Sequence, residues 1–154
     1  MPTTVDEITS TIDIDAPIER VWAAITTPAT IKQWFLGVDT ETDWTVGSPI
    51  VHRGEYQGKP YVDKGTIRRF EPPRVLEHDH WSDGSGLPDE PENYQVVTWA
   101  LSERGDGTDL ELTERNLPSE DAAKTSEQTW AMVLKNLKQL LEGSSSATPD
   151  PTKG

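Results

Sequence analysis

The chain has 154 residues, of which only 33% are apolar, and a formal net charge of -13 at neutral pH. That length suits one domain, and so polar a composition implies a modest core or a polar-lined cavity. The charge excludes nucleic acid and anionic membrane as expected partners, because both repel an acidic surface.

The sequence has no cysteine, which excludes disulfides, thiolate metal sites and cysteine nucleophiles. The start, MPTTVDEITS, has neither a basic end nor an apolar run, so no signal peptide is expected. No segment reaches the roughly 18 consecutive apolar residues of a membrane helix. A cytoplasmic location is the expectation. Strong acidity, sparse lysine and plentiful threonine also suit a protein kept soluble in high salt.

Residues 1–7 read as an N-terminal extension. Ile8, Ile12 and Ile14 then alternate with Thr9, Thr11 and Asp13, the pattern of a half-buried strand. In DAPIERVWAAIT, Asp15 is placed to cap, Pro17 suits a first helical turn and Glu19 favours the positive helix end. Ile18, Val21, Trp22 and Ile25 make one apolar stripe, which Pro28 stops. ATIKQWF, residues 29–35, reads as a second short helix ending in Trp34 and Phe35.

From about Val38 the period becomes two. PIVHRGEY, a QGKP turn and YVDKGTIRRF read as a hairpin, and EPPR as a second turn. VLEHDHW, YQVVTWAL and TDLELTER read as further strands. Between the first two of these lies a long polar loop, 82–93, a candidate mobile lid or rim. Ser119 is placed to cap a long helix whose stripe is Trp130, Val133, Leu134, Leu137, Leu140 and Leu141, and Gly143 is expected to end it. Residues 144–154 read as a disordered polar tail.

The expected fold is therefore α+β over residues 8–143. Short connections imply an antiparallel sheet, and only the C-terminal helix is long enough to cover one of its faces. A curved sheet should wrap around that helix, with two short helices after the first strand.

IDIDAPIERVWAAITTPATIKQWF, the Trp44 to Gly47 segment, GTIRRFEPPRVLEHDHW, VVTWAL, TDLELTE and TWAMVLKNLKQLLEG, in this order, resemble the activator of heat-shock-protein-90 ATPase homologue family. That family falls in the START-like (SRPBCC) group, with the helix-grip fold of the birch pollen allergen. The resemblance implies a hydrophobic cavity between sheet and helix. Members of the group bind lipids, sterols, polyketides or other apolar molecules, and a minority catalyse cyclisation or dehydration. The eukaryotic namesake stimulates the chaperone's ATPase through two domains; the resemblance here covers one.

In VLEHDHW, Leu76, His78 and His80 share one strand face, and Val75, Glu77, Asp79 and Trp81 the other. Alternation alone does not choose between them. The resemblance implies that Leu76 points inward, so His78 and His80 are expected to face the cavity. They could chelate a metal with His52 as third ligand, line a pocket as polar groups, or stand exposed. No metal motif is present, and no metal or catalytic residue is assigned. Extending the helical stripe backward from Trp130 reaches Glu127, Ser126 and Ala123. Ser126 and Glu127 are expected at a pocket mouth, with Glu127 able to act as a general base; the alternative is an exposed, solvated helix start. Trp34, Trp99 and Trp130 suit a flat apolar pocket, with Tyr56 and Tyr61 supplying hydroxyls. Arg68 and Arg69 read as surface ion pairs.

The expected function is a non-enzymatic module that binds a small apolar or amphipathic ligand, as monomer or homodimer, without a cofactor. A chaperone accessory of the stress response is the second reading. The third is a cyclase- or dehydratase-like enzyme on an aromatic or polyketide-like substrate, with His78, His80 or Glu127 as acid and base.

Overall fold

The computed structural model describes residues 5–35, 37–56, 58–82 and 87–146, with side chains for all of these except Tyr56 and residues 143–146. The strands are β1 (Val5–Ile14), β2 (Asp39–Thr42), β3 (Pro49–Tyr56), β4 (Lys59–Glu71), β5 (Val75–Ser82), β6 (Gln95–Arg104) and β7 (Gly107–Leu117). The helices are α1 (Ile18–Thr26), α2 (Pro28–Trp34) and α3 (Glu120–Ser146). All seven strands form one curved antiparallel sheet in the order β1-β7-β6-β5-β4-β3-β2. The expected α+β helix-grip architecture is the one observed.

Several boundaries differ from those read in the sequence. Pairing in β1 begins at Val5, opposite Leu117. Asp15 does not cap α1: Pro17 holds the N-cap position, and the Asp15 amide donates to Glu142 Oε2 at 2.8 Å. The β3–β4 hairpin is tighter than QGKP, since Tyr56 already faces Lys59 and the turn closes around Gly58 at φ 80°. Lys59 and Pro60 belong to β4. Helix α3 continues through Gly143 to Ser146. The loop tip 83–86 and the tail from 147 onward lie outside the described residues.

The two halves of α3 are held differently, and this difference makes room for a site. In the C-terminal half, Val133, Leu134, Leu137 and Leu141 join the main core with Ile14, Val21, Leu110 and Leu112. Polar ties close that end. Lys138 Nζ donates to the Asp13 carbonyl at 2.6 Å and to Glu142 Oε2 at 2.7 Å, and Arg20 donates to the Leu141 carbonyl at 3.0 Å. In the N-terminal half, Ser119 Oγ accepts the Ala122 amide at 3.1 Å, the expected cap. Ala123 joins a separate small cluster with Ile8 and Leu117, against which Val5 and Trp130 pack. Its neighbours Thr125, Ser126 and Thr129 are too small and polar to fill the space down to β3–β5.

Candidate functional site

Strand register decides which side chains meet beneath α3, because antiparallel partners share a sheet face. Thr40 on β2 lies opposite His52 on β3, and His52 opposite Asp63 on β4. Ile67 on β4 lies opposite His78 on β5; His78 faces Val97 on β6, and Val97 faces Glu114 on β7. Ile50, Ile67, Leu76, Val97, Trp99 and Leu112 are buried, so this is the inner face. Three histidines and two carboxylates therefore stand on the concave side.

They line a cavity of about 970 Å³. Its apolar side is aromatic. Trp99 meets Trp34 edge-on at 5.6 Å between ring centroids and Trp130 at 5.8 Å; Phe35 stacks on Trp34 at 5.5 Å and reaches Trp130 at 6.0 Å. Trp34 is fixed by its Nε1–H, which donates to the Ala24 carbonyl at 2.9 Å. Exposed Lys59 and Pro60, with half-buried Tyr61, form one rim, and Asp121 and Thr125 of α3 form the other.

The polar side is a connected set. His80 Nε2 sits 3.1 Å from Asp63 Oδ2. His78 Nδ1–H donates to the Asp79 carbonyl at 2.9 Å, which leaves Nε2 of its neutral ring as an acceptor. The His52 and His78 rings lie 5.9 Å apart. Trp130 Nε1–H donates to Glu114 Oε1 at 2.9 Å. Thr40 Oγ1 is buried with no partner among the described residues.

Burial sets the charge states. It pushes His52 down to about 3, helped by neighbouring His78 and His80. It lowers His78 to about 4, outweighing the bond to the Asp79 carbonyl. Both rings are neutral at pH 7. Burial acts the same way on His80, but the hydrogen bond and charge of Asp63, with Glu114 and Gln95, outweigh it and raise His80. Burial would raise Asp63; hydrogen bonds from His80 and Ser82 instead hold it below the usual carboxylate range. Burial, with the Asp63 charge, raises the Tyr61 phenol.

Of the residues singled out in the sequence, Trp34, His52, Tyr61, His78, His80, Trp99, Ser126 and Trp130 all line the cavity. The Tyr56 side chain lies outside the described residues. Glu127 is exposed and does not reach the wall. At roughly 100° per residue, it falls on the flank of the stripe away from the cavity, while Ala122, Ser126 and Thr129 take the facing flank. Among the described residues, no three of His, Asp and Glu converge as metal ligands: His80 turns to Asp63 while His52 and His78 lie side by side. Arg68 pairs with Asp79 at 3.0 Å and Arg69 with Glu71 at 3.0 Å, as surface ion pairs.

Sequence reading missed Asp63, Glu114, Thr40 and Phe35. Two of these had a usable signal. Glu114 keeps step with Leu110 and Leu112, and Asp63 with Ile67, so period two alone turns both carboxylates inward. Of the 82–93 loop, Ser82 lines the cavity rim, while the part from Leu87 onward lies elsewhere. That later part rests on the outer face, where Trp81 Nε1–H donates to the Leu87 carbonyl at 3.2 Å and Trp81 stacks on Tyr94 at 6.5 Å.

A curved antiparallel sheet gripping a long helix above an internal cavity defines a START-like helix-grip domain. Residues 15–142 match the profile of the Activator of Hsp90 ATPase homolog 1-like proteins, and the chain belongs to that family. A solution structure from Cytophaga hutchinsonii is similar at 41% identity and TM-score 0.80, over 94% of this chain and 99% of that one. The Aha1 dimer from Colwellia psychrerythraea shares the fold at 23% identity and TM-score 0.72, over 90% of this chain and 97% of that one. An HSP90 activator from Plasmodium falciparum does so at 20% identity and TM-score 0.71, over the same 90% and 97%. Among curated proteins, none matches the chain. No helix among the described residues is long and apolar enough to cross a membrane.

Proposed function

We propose that this protein is a small-molecule-binding module that holds an apolar or amphipathic ligand between the sheet and α3. The observation that carries the reading is the cavity of about 970 Å³, walled on one side by Trp34, Phe35, Trp99 and Trp130 and on the other by hydrogen-bonding groups. An aromatic wall with a few convergent polar groups is the usual make-up of a ligand site, and the volume suits a molecule of a few fused rings. Its exposed rim gives a way in.

The test is a fluorescence titration with naphthalene, in wild type and in Trp130→Ala. Saturable binding, weakened at least tenfold in the variant, is expected. Unchanged affinity in a variant that keeps its circular dichroism spectrum would overturn the site. Native against denaturing mass spectrometry of freshly purified protein reports any ligand carried through purification.

A chaperone-accessory role is the second reading, favoured by the family and by the names of the Colwellia and Plasmodium structures. Its test is recovery of the host's heat-shock chaperone on immobilised protein at low salt, with stimulation of that chaperone's ATPase. Absence of both would end it.

A further inference from the structure

The polar side of the cavity is unbalanced in a way that selects among ligands. Glu114 is 5% exposed and lines the cavity, yet its hydrogen-bond partner there is the neutral indole N–H of Trp130. Among the described residues, no lysine or arginine forms an ion pair with it. A carboxylate offers about four lone-pair sites, and one N–H fills one of them. His80 is engaged through Nε2 by Asp63 at 3.1 Å, while its Nδ1 is buried without a hydrogen-bond partner among the described residues. His78 presents an acceptor nitrogen, because its other nitrogen is committed to the Asp79 carbonyl. Among the described residues, Lys59 is the sole lysine or arginine of the lining, and it stands exposed at the mouth.

The wall is thus richer in acceptors than in donors: His78 Nε2, the open sites of Glu114 and the buried, unpartnered Asp63 Oδ1 stand against one ring nitrogen of His80. A ligand carboxylate pushed against it would meet the like charges of Asp63 and Glu114, with His80 already paired to Asp63 and Lys59 out at the mouth, which is costly where water is scarce. A ligand that brings a donor supplies what Glu114 lacks. The buried, unpartnered hydroxyl of Thr40 adds a group able to donate or accept.

From this we propose that the cavity selects a flat aromatic molecule that presents a hydrogen-bond donor, as hydroxyl or ammonium, and rejects the matching carboxylate. The inference rests on the reading of the cavity as a small-molecule site. Both donors share the chemistry; an ammonium also gains from the Glu114 charge and the faces of the indole rings.

The experiment compares four matched probes near pH 7, read by tryptophan quenching: naphthalene, 1-naphthol, 1-naphthylmethylammonium and 1-naphthoate. At least one donor probe should bind tenfold or more tighter than the naphthoate. Preference for the naphthol identifies a hydroxyl ligand, and preference for the ammonium a cationic one. Binding of naphthoate as tight as either donor overturns the selectivity but leaves the cavity reading standing, whereas failure of all four, naphthalene included, overturns both. Glu114→Gln should narrow the donor-to-carboxylate ratio at least tenfold, and Asp63→Asn should narrow it in the same direction should the first variant not fold. An unchanged ratio in a folded variant of either kind contradicts the assignment to these carboxylates.

Discussion

Trp130 on α3 and Glu114 on β7 are joined by a 2.9 Å N–H to carboxylate bond, which ties the loose half of the helix to the sheet at the edge of the cavity. A hydrogen bond to a charged group contributes about 1.5–3 kcal/mol, and a buried carboxylate left without it costs as much again as its desolvation. Trp130→Phe keeps most of the ring and removes only the donor. It should lower stability by about 2 kcal/mol. Paired with Glu114→Gln in a double-mutant cycle followed by urea denaturation, it should show a coupling of at least about 1 kcal/mol. Additive effects would mean that the bond does not hold the helix.

Stability should fall in mild acid. His52 and His78 have folded values of about 3 and about 4 against 6.5 when unfolded, because burial disfavours their charged forms. Between pH 6.5 and about 4 the unfolded chain takes up protons that the folded chain does not, so stability rises with pH across that window. Each ring contributes on the order of 1 kcal/mol per pH unit there. His80 works in the opposite sense: its raised value adds stability in acid that is lost as pH climbs through it. Two histidines outweigh one. Urea melts at about pH 7 and about pH 5 should show the loss, and His78→Gln should reduce it; a flat profile contradicts the neutral pair.

Thr40 offers a change that should stabilise. Its hydroxyl is buried with no partner among the described residues. Thr40→Val keeps the shape and removes the unsatisfied group, so a gain of about 1 kcal/mol is expected in thermal or urea unfolding. A loss would show that the hydroxyl is satisfied in solution.

Gly65 on β4 lies hard against the backbone of Asp79 on β5. A Cβ built there would fall 1.8 Å from the Asp79 carbonyl oxygen, a backbone atom that cannot turn aside. Gly65→Ala should therefore cost about 2–3 kcal/mol and disturb His78 and His80 on the same strand. Near-wild-type stability would show that the two strands can part without loss.

A net charge of -13 on so short a chain sets up self-repulsion that salt screens. The melting temperature should rise markedly from about 0.1 M to about 1 M potassium chloride. A flat response would reject adaptation to salt.

The elements were legible because their signals are local. Ile8, Ile12 and Ile14 alternate, Val133, Leu134 and Leu137 recur at helical spacing, and Ser119 caps where a hydroxyl is expected. The site was legible only in part, because it depends on register between strands far apart in sequence. Nothing local places His52 beside His78; two antiparallel pairings, β3 with β4 and β4 with β5, do. Glu127 was misplaced for the opposite reason. Helical spacing from Trp130 fixes a broad stripe, but which flank of it meets the cavity is set by how α3 seats on Leu117 and Ile8. The inward carboxylates Asp63 and Glu114 could have been found by counting in twos from Ile67 and Leu112, a step that their charge discourages.

The measurement that bears most directly on the cavity is a two-dimensional ¹⁵N NMR titration of the wild-type protein with 1-naphthol. The indole N–H resonances of Trp34, Trp99 and Trp130 should shift together and saturate, with backbone shifts at His52, His78 and Ser126 and none at Trp81 on the outer face. Shifts confined to the outer face, or none at saturating probe, would contradict a ligand site between the sheet and α3.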